Sequence, residues 1–468
     1  MSTNTITRSL KSGHRQDISG RPATSRTLSM FCRRALLLTT VLTVATAVHA
    51  QTYYYVDCSG GNPADFSTIS AALAVAGPNA YILVTGTCTE NVSITNFSNL
   101  NLGAAYGSTA TIHGNVSITA SNSVFLYGLN VTNPVGDAFD IASSRNVALW
   151  TCTGNGNAGV GLSANTLSDV AVLGPGSFDS NGGAGVNVSF QSVLNVLTWG
   201  GPLDISSNHG PGVSLGDGAL FQTLGNTTIE NNINVPGGVR PNGFGIQAVS
   251  ASKVQVANCF GTTQISGNQS GGIDAREHSQ VSIWGCGPLG QNIVQDNGLV
   301  GVEVGMGSQL ALYTNVVISG HTSAGIDLYA EGQFYMNGPN LISQNGSGSN
   351  PRSAGVVVDG NSEAYLRGGT ISNNEGPGIL ALVNSSVDSA GATFAGNTGG
   401  VITCDSSAYL ISDLQSATGT RHPGIECRTP HHLGNGDRLA VAPVAPDFAA
   451  QKNRAAQYKK FASPKTNR

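Results

Sequence analysis

The chain has 468 residues, of which 62 are glycine and 10% are charged, and its formal net charge is −4. Residues 51–427 hold seven Lys or Arg side chains against 23 Asp or Glu side chains. An acidic body of this kind excludes nucleic acid as a partner, because binding nucleic acid requires Lys and Arg to neutralise phosphates.

Residues 1–50 have the pattern of a signal peptide. An apolar run over 35–48 follows two arginines and ends in a small-residue cleavage signal at Ala50. The run is shorter than the roughly 20 apolar residues that span a bilayer. The pattern predicts a protein without a membrane span that is secreted or placed in the periplasm or on the cell surface. An alternative translation start at Met30 would give a signal peptide of conventional length.

Residues 51–123 are predicted to form an N-terminal cap and the first coils of the fold. The stretch "DFSTISAALAVAG" (65–77) carries apolar residues at helical spacing, with Thr68 or Ser67 available as an N-cap. A short helix at this place covers the first coil, whose open end is otherwise an exposed sheet edge.

Residues 124–427 consist of repeats. Apolar and polar side chains alternate in short runs, as at Val254 and Val256, which is the period of a β-strand. Each unit holds three such strands and turns rich in Asn and Gly, without helical periodicity. This pattern predicts an all-β fold, a right-handed parallel β-helix of about fourteen coils. Twelve units, 21 to 34 residues apart, are recognised by their strand starts: Val124, Val147, Val170, Val193, Leu220, Val254, Val281, Leu310, Phe334, Ala364, Val387 and Ala408.

One asparagine recurs at the same place in most repeats. Stacked coils bring equivalent residues into columns, so these amides are predicted to hydrogen-bond from coil to coil. Asn also tolerates the left-handed backbone of a sharp bend. His321 takes the same place in "ISGHTSAG" and is predicted to be a substituted rung rather than a catalytic group. The predicted ladder comprises Asn181, Asn208, Asn268, Asn297, Asn345, Asn374 and Asn397.

Seven cysteines follow the signal peptide, in an export context where disulfides persist. Cys152 has no evident partner. For Cys259 and Cys286, a stacked row of thiols is the alternative to a disulfide. The predicted pairs are Cys58–Cys88, Cys259–Cys286 and Cys404–Cys427.

Residues 428–468 are basic, rich in Pro and Ala, and predicted to be a disordered tail.

Two segments near the N-terminus resemble the cap and first coil of pectinesterases and their pectin-lyase-like relatives. They are "YYVDCSGGNPADFSTISAALAVA" and "GTCTENVSI". The resemblance implies the parallel β-helix but weakly constrains function, since one fold hosts many chemistries. The catalytic motifs of pectinesterases, polygalacturonases and pectate lyases have no counterparts here, so these three activities are not expected.

One column of the repeats is rich in polar residues. It is the residue that follows the apolar one in each closing Gly-Ile/Val strand, and it is predicted to point outward. Three consecutive members, Asp274, Glu303 and Asp327, are acidic. The column reads Asp140, Gly161, Asn187, Ser214, Gln247, Asp274, Glu303, Asp327, Val357, Leu380, Ile402 and Glu426.

Three interpretations of Asp274, Glu303 and Asp327 stay open. They are the acid and the base or nucleophile of a glycosidase, the oxygen ligands of a calcium ion, or solvated acids that keep the surface polar. Neighbouring carboxylates repel unless a proton or a cation lies between them. Substrate contacts are predicted for three residues near the acids: Gln247, Arg276 and Tyr329.

Two classes of function follow from the sequence. The first is a monomeric, non-catalytic scaffold that binds polysaccharide or a cell-envelope surface and needs no cofactor. The alternative is a carbohydrate-active, polysaccharide-cleaving enzyme that uses the three acids. For an enzyme, the insertions at 231–245 and 343–355 are expected to wall a cleft over the acidic column.

Overall fold

The computed structural model describes residues 51–61, 64–198, 201–237, 241–258, 261–285 and 290–410. In these ranges the chain forms forty short β-strands and one α-helix, α1 (Ile69–Val75). They build the predicted right-handed parallel β-helix, with about fourteen turns. No helix of the described part is long and apolar enough to cross a membrane. The predicted signal peptide and tail lie outside the described residues.

Three faces run along the β-helix, and the first is named sheet 1. Its strands stack in parallel from the N-terminal cap to the last described turn. They are β1 (Thr52–Asp57), β2 (Ala80–Cys88), β4 (Ser98–Ala104), β7 (Asn122–Tyr127), β10 (Val147–Trp150), β13 (Asp169–Leu173), β16 (Val193–Leu197), β19 (Leu220–Thr223), β22 (Lys253–Asn258), β25 (Gln280–Gly285), β28 (Gln309–Leu312), β31 (Gln333–Met336), β34 (Glu363–Leu366), β37 (Ser386–Asp388) and β40 (Tyr409–Leu410).

Sheet 2 continues sheet 1 around a corner, because the second half of β2 pairs with the first strand of sheet 2. Its strands are β5 (Ala110–His113), β8 (Leu129–Thr132), β11 (Thr153–Gly154), β14 (Gly176–Ser177), β17 (Leu203–Ser206), β20 (Thr227–Glu230), β23 (Thr262–Ser266), β26 (Gln291–Gln295), β29 (Val316–Ser319), β32 (Leu341–Ser343), β35 (Thr370–Ser372) and β38 (Thr393–Ala395).

Sheet 3 is a separate sheet of 13 strands and closes each turn. Its strands are β3 (Val92–Thr95), β6 (Val116–Thr119), β9 (Phe139–Ala142), β12 (Leu162–Asn165), β15 (Val186–Val188), β18 (Val213–Leu215), β21 (Phe244–Ala248), β24 (Gly271–Ala275), β27 (Val300–Gly305), β30 (Ala324–Tyr329), β33 (Ala354–Val358), β36 (Ile379–Ala381) and β39 (Ile402–Cys404).

Successive turns place equivalent residues opposite each other. In sheet 3, Ile273 lies opposite Val302, which lies opposite Ile326. These three side chains are fully buried. Successive side chains of a strand face opposite sides, so the residues between them point outward. The inward residues of the three sheets form one continuous apolar core.

Three of the predicted repeat positions are out of register with the others, although Val193 and Leu220 are the first residues of β16 and β19. The inward residues are Leu194 and Phe221, one residue after the predicted Val193 and Leu220. Ala408 lies just before β40 rather than in it. Sheet 1 carries a second buried apolar cluster on its outward side in the middle of the solenoid. Apolar residues therefore point to both sides of β16 and β19, and alternation alone does not fix their register.

Helix α1 caps the N-terminal end, as predicted. The Thr68 hydroxyl accepts a hydrogen bond from the Ala71 N–H at 3.2 Å, so Thr68 is the N-cap. The Glu90 carboxylate accepts hydrogen bonds from the N–H groups of Ile69 and Ser70 at 2.7 and 3.0 Å. These bonds satisfy backbone donors that the first helical turn leaves free. The helix packs against β1, β2 and β3.

Cysteines fasten the first turn to the cap. Cys58 and Cys88 form a disulfide with their Cα atoms 5.0 Å apart, the pairing expected from the sequence. Cys404 is also disulfide-bonded, and Cys152 is a free, buried thiol. Three other cysteines of the predicted pairs lie outside the described residues, and their pairings stay predictions: Cys259, Cys286 and Cys427.

The recurring asparagines form a buried ladder at the corner between sheets 2 and 3. Asn208 Oδ1 accepts hydrogen bonds from the backbone N–H and the side-chain amide of Asn181, at 3.0 and 2.9 Å. The same bonds link the other predicted members, and the structure adds Asn157 and Asn232. The left-handed backbone expected of these asparagines belongs instead to the residue before each of them, as at Ser207 with φ 58°.

His321 replaces one asparagine of the ladder and reproduces two of its hydrogen bonds. Its Nδ1 atom accepts from the Asn297 N–H at 3.2 Å, and its Nε2 atom donates to the Val294 carbonyl at 3.2 Å. This pattern requires a neutral imidazole with the proton on Nε2. Burial lowers the pKa of His321 to about 4. The histidine is therefore a structural rung.

Replacing Asn208 with alanine should destabilise the fold by about 3 kcal/mol, because it leaves buried donors and acceptors of three turns without partners. The side chain bonds Asn181 and Asn232 and donates to the Phe178 carbonyl at 3.0 Å. Urea denaturation followed by circular dichroism measures the loss. The exposed Asn122→Ala is the control and should change stability by less than about 0.5 kcal/mol. Equal effects of the two substitutions would contradict the ladder's role.

Replacing His321 with asparagine should change how stability depends on pH. The group titrates at about 4 in the folded chain and at 6.5 in the unfolded chain. Between these values the unfolded chain binds more protons, so stability rises with pH, by up to about 1.4 kcal/mol per pH unit from this group. The variant should therefore lose stability relative to wild type as pH rises from 4.5 to 6.5.

Denaturant unfolding at several pH values measures this difference. His209→Asn, at an exposed histidine of an earlier turn, is the matched control. If His321→Asn and the wild type kept a constant difference in stability across this range, a neutral buried imidazole would be refuted.

Candidate functional site

Sheet 3 brings the predicted site residues together on its outward side. Gln247, Asp274, Glu303 and Asp327 occupy consecutive turns in direct register. Adjacent parallel strands lie about 4.8 Å apart, so these side chains form a continuous row. The next residue of the row, Val357, is apolar and fully buried, and it ends the polar stretch.

Two members of the predicted column are wrong. The register places Ser163 rather than Gly161, and Thr403 rather than Ile402, in line with the acids. The stretch "GVGL" contains two Gly-apolar pairs, and the second one enters β12. In β39 the strand begins one residue later than the glycine spacing indicates. Glu426 lies outside the described residues.

Asp274 is fully buried, which excludes the interpretation of a solvated carboxylate for this residue. Its Oδ2 atom accepts hydrogen bonds from Gln247 Nε2 at 3.0 Å and from the Arg276 guanidinium. Burial raises the pKa of Asp274, and Arg276 and Gln247 offset part of that rise. A carboxylate without exposed surface is not accessible to a ligand. Asp274 therefore positions Arg276.

Asp327 is held by Arg352, which reaches it from the insertion at 343–355. Arg352 Nε and Nη2 donate to the two oxygens of Asp327 at 3.0 and 2.6 Å, and Nη1 donates to Asp359 at 2.8 Å. Bidentate contacts of this kind are strong and directional. Arg352 is the main site residue that sequence reasoning missed. The signal for it was a basic residue inside a predicted wall of an otherwise acidic body.

Glu303 lies between these two ion pairs and forms none itself among the described residues. The Tyr329 side chain interacts with the carboxylate and lowers the pKa of Glu303. The Tyr329 ring lies across Gly305, where a Cβ atom would come within 2.2 Å of the ring. Glycine at this position therefore allows the phenol to lean back over the preceding turn, towards Glu303.

The environment of Glu303 favours its protonated form. Burial, then the charges of Asp274 and Asp327, raise its pKa to about 7, and Arg276 and Tyr329 offset part of the rise. Glu303 therefore carries a proton part of the time at neutral pH. The positive charges of Arg276 and Arg352 and the proton on Glu303 reduce the repulsion between the three adjacent carboxylates.

The two insertions border the same edge of sheet 3. The described parts of 231–245 precede β21, and the insertion at 343–355 leads into β33. In the first, Asn234 Oδ1 accepts hydrogen bonds from the N–H groups of Asn242 and Gly243, both at 2.7 Å. Both insertions therefore lie at the edge of sheet 3 where its strands begin, next to the row that contains Gln247 and the three acids.

Comparisons with known proteins find similarity among solved structures. No family model matches the chain, and no curated protein matches it. The A-module of mannuronan C-5 epimerase AlgE4 from Azotobacter vinelandii is 14% identical, with a TM-score of 0.43 over 72% of this chain and 91% of that one.

Two further structures are similar over most of their length. Pectate lyase Pel9A is 17% identical, with a TM-score of 0.28 over 73% of this chain and 78% of that one. The siphovirus 9NA tailspike receptor binding domain is 11% identical, with a TM-score of 0.36 over 78% and 77%. Similarities this low carry no argument about function.

Replacing Glu303 with glutamine should stabilise the protein increasingly as pH rises. Glu303 titrates at about 7 in the folded chain, against 4.5 as its ordinary value. Between these values the folded chain binds more protons than the unfolded chain, so this group lowers stability by up to about 1.4 kcal/mol per pH unit as pH rises. The variant should gain most over wild type above pH 7.

Unfolding by denaturant at pH 4.5, 6 and 8 measures the gain. Glu375→Gln, at an exposed glutamate, is the control. A stability difference between Glu303→Gln and wild type that did not change with pH would show that folding leaves the pKa of Glu303 unchanged.

Proposed function

We propose that the protein is exported and binds a polysaccharide on the surface around Glu303. The observation that carries this proposal is the position of Glu303 between two Asp–Arg pairs and beside the ring of Tyr329. Arg276 and Arg352 offer hydrogen-bond donors, the carboxylates offer acceptors, and the tyrosine offers an aromatic face. A small number of convergent polar groups with an aromatic wall is the usual composition of a ligand site.

A glycoside hydrolase is the second candidate, and the proton on Glu303 favours it. A pKa of about 7 suits a general acid. Asp327 is one turn away, near the roughly 5 Å separation of carboxyl groups in retaining enzymes. Arg352 engages both oxygens of Asp327, however, and Asp274 is buried. Two of the three acids are thus committed to arginines, so binding without cleavage is the first proposal.

Cofactor use and location extend this proposal. We propose that binding needs no cofactor, because Arg276 and Arg352 already provide positive charge where a calcium ion was the alternative. The disulfide between Cys58 and Cys88 supports export, since disulfides persist in oxidising compartments. A monomer that binds its polysaccharide at a cell envelope or outside the cell is part of the same proposal.

The test measures binding of the protein to acidic and neutral polysaccharides by affinity gel electrophoresis, with and without EDTA. Arg352→Ala should weaken binding about tenfold, or about 1.4 kcal/mol, because it removes a donor and frees the insertion from Asp327. Glu303→Gln keeps a hydrogen-bonding group and should change binding less than threefold, roughly 0.7 kcal/mol. Glu363→Gln, on the outward side of sheet 1, is the matched control.

Release of reducing ends from the same polysaccharides distinguishes the two candidates. A wild-type activity that disappears in Glu303→Gln would establish the hydrolase in place of the scaffold. Binding that is unchanged in Arg352→Ala would contradict the proposed surface. Loss of binding in EDTA and its recovery with calcium would show that the site needs a cation, which contradicts the proposal of a cofactor-free site.

A further inference from the structure

We propose a second carbohydrate-binding surface, an aromatic patch on sheet 1 near the N-terminal cap that takes neutral sugars. This proposal rests on the proposed function for the class of partner, but the surface lies on another sheet and shares no residue with the Glu303 site. The aromatic patch consists of six outward side chains from β1, β2, β7 and β10: Tyr53, Tyr55, Tyr81, Phe125, Tyr127 and Trp150.

The rings of the aromatic patch contact one another in pairs. Tyr53 and Tyr81 lie opposite each other in register and stack, with ring centroids 5.0 Å apart and planes at 27°. Phe125 and Tyr127 stack at 5.7 Å and 26°, and Trp150 meets Phe125 edge-on at 6.5 Å. Exposed aromatic rings with polar edges fit partners that are apolar on their faces and polar at their rims, as pyranose rings are.

A glycine lets the two ends of the patch approach each other. Gly103 lies opposite Tyr127, and a Cβ atom there would come within 2.5 Å of the tyrosine ring. The ring therefore leans across the turn of β4. Burial, with contributions from Tyr81 and Tyr53, raises the pKa of Tyr127 to about 12. Phenols from three different strands thus face one common surface.

The aromatic patch carries no charge. In β1, β2, β4, β7 and β10 the one charged residue is Asp57, which is 4% exposed. These strands offer no Lys or Arg to the phosphates of nucleic acid, and the carboxylate beside them is that of Asp65, which accepts a hydrogen bond from the Tyr55 N–H at 3.0 Å. Gln51 joins the hydroxyls of Tyr53 and Tyr81 at 3.2 and 3.3 Å. The hydroxyls and this amide are the groups available to the hydroxyls of an uncharged sugar.

The size of the aromatic patch favours a glycan over a protein partner. Tyr53 and Tyr55 are 48% and 51% exposed, and the other four rings are half-buried. Because each aromatic side chain has about 150–250 Å² to bury, the six rings expose on the order of 500 Å² at most. A standard protein interface buries about 800 Å² on each partner. A strip of this size matches a few sugar units rather than a second copy of the chain.

The test is affinity gel electrophoresis of the whole protein in hydroxyethylcellulose and galactomannan, which are neutral, and in polygalacturonate, which is acidic. The double variant Tyr53→Ala/Tyr55→Ala should lose at least tenfold in affinity for one of the neutral polymers. Tyr53→Phe/Tyr55→Phe keeps the rings and should retain most of the binding. Phe190→Ala removes a 58% exposed ring elsewhere and should have no effect. Thermal unfolding verifies that each variant is folded.

The outcomes separate this surface from the Glu303 site. Loss of neutral-polymer binding in the tyrosine double variant, together with unchanged binding in Arg352→Ala, supports the aromatic patch whatever happens at the other site. Three results would overturn it: no retention by either neutral polymer, equal retention of wild type and the alanine variant, or a concentration-dependent dimer in sedimentation that the alanine variant abolishes. The last result would identify the patch as a contact between copies of the chain.

Discussion

In-register stacking of parallel turns is the constraint on which the other features depend. Once strands of successive turns pair without offset, every side chain meets its own equivalent about 4.8 Å above and below. An apolar position then becomes part of a continuous core, and a polar position becomes a row. Asn208 shows the favourable case, because an amide both donates and accepts and so bonds to its own kind on both sides. Repetition of one residue is thus a stabilising device at that corner.

The same stacking makes a row of acids unfavourable, because neighbouring carboxylates repel each other. Two arginines reduce this repulsion. Arg276 from the same strand pairs with Asp274, and Arg352 from an insertion pairs with Asp327. Glu303, between them, is left with Tyr329 and a raised pKa. The site is therefore not three equivalent carboxylates but two ion pairs around one titrating acid. This asymmetry is what gives the row a chemical character different from that of a solvated acidic surface.

The repeat also explains why glycine matters at two outward positions. At Gly305 and Gly103 a tyrosine of the next turn leans across the backbone, which any Cβ atom would prevent. Each tyrosine thereby reaches over a neighbouring turn instead of stacking on an identical residue. Tyr329 meets Glu303 in this way, and Tyr127 faces the phenols of the first strands. Breaks in the repetition, rather than the repetition itself, create the two surfaces proposed to bind sugars.

The periodic part of this protein was readable from the sequence. Strand alternation gave the parallel β-helix, the recurring asparagine gave the ladder, and the helical stripe after Thr68 gave the cap, because each is a local pattern repeated in register. Register itself failed where apolar residues lie on both sides of a strand, as at Val193, and where a glycine pair is duplicated, as at Gly161.

Tertiary structure alone decided the contacts that repetition does not encode. The sequence placed Asp274, Glu303 and Asp327 in one row, but it left open whether they are catalytic acids, calcium ligands or solvated side chains, since burial of an outward residue depends on what packs over it. It also gave no partner for Arg352, because a side chain from an insertion of irregular length reaches its target only through the path of the folded backbone. Which acids are paired, and which one keeps a proton, is therefore a property of the folded surface.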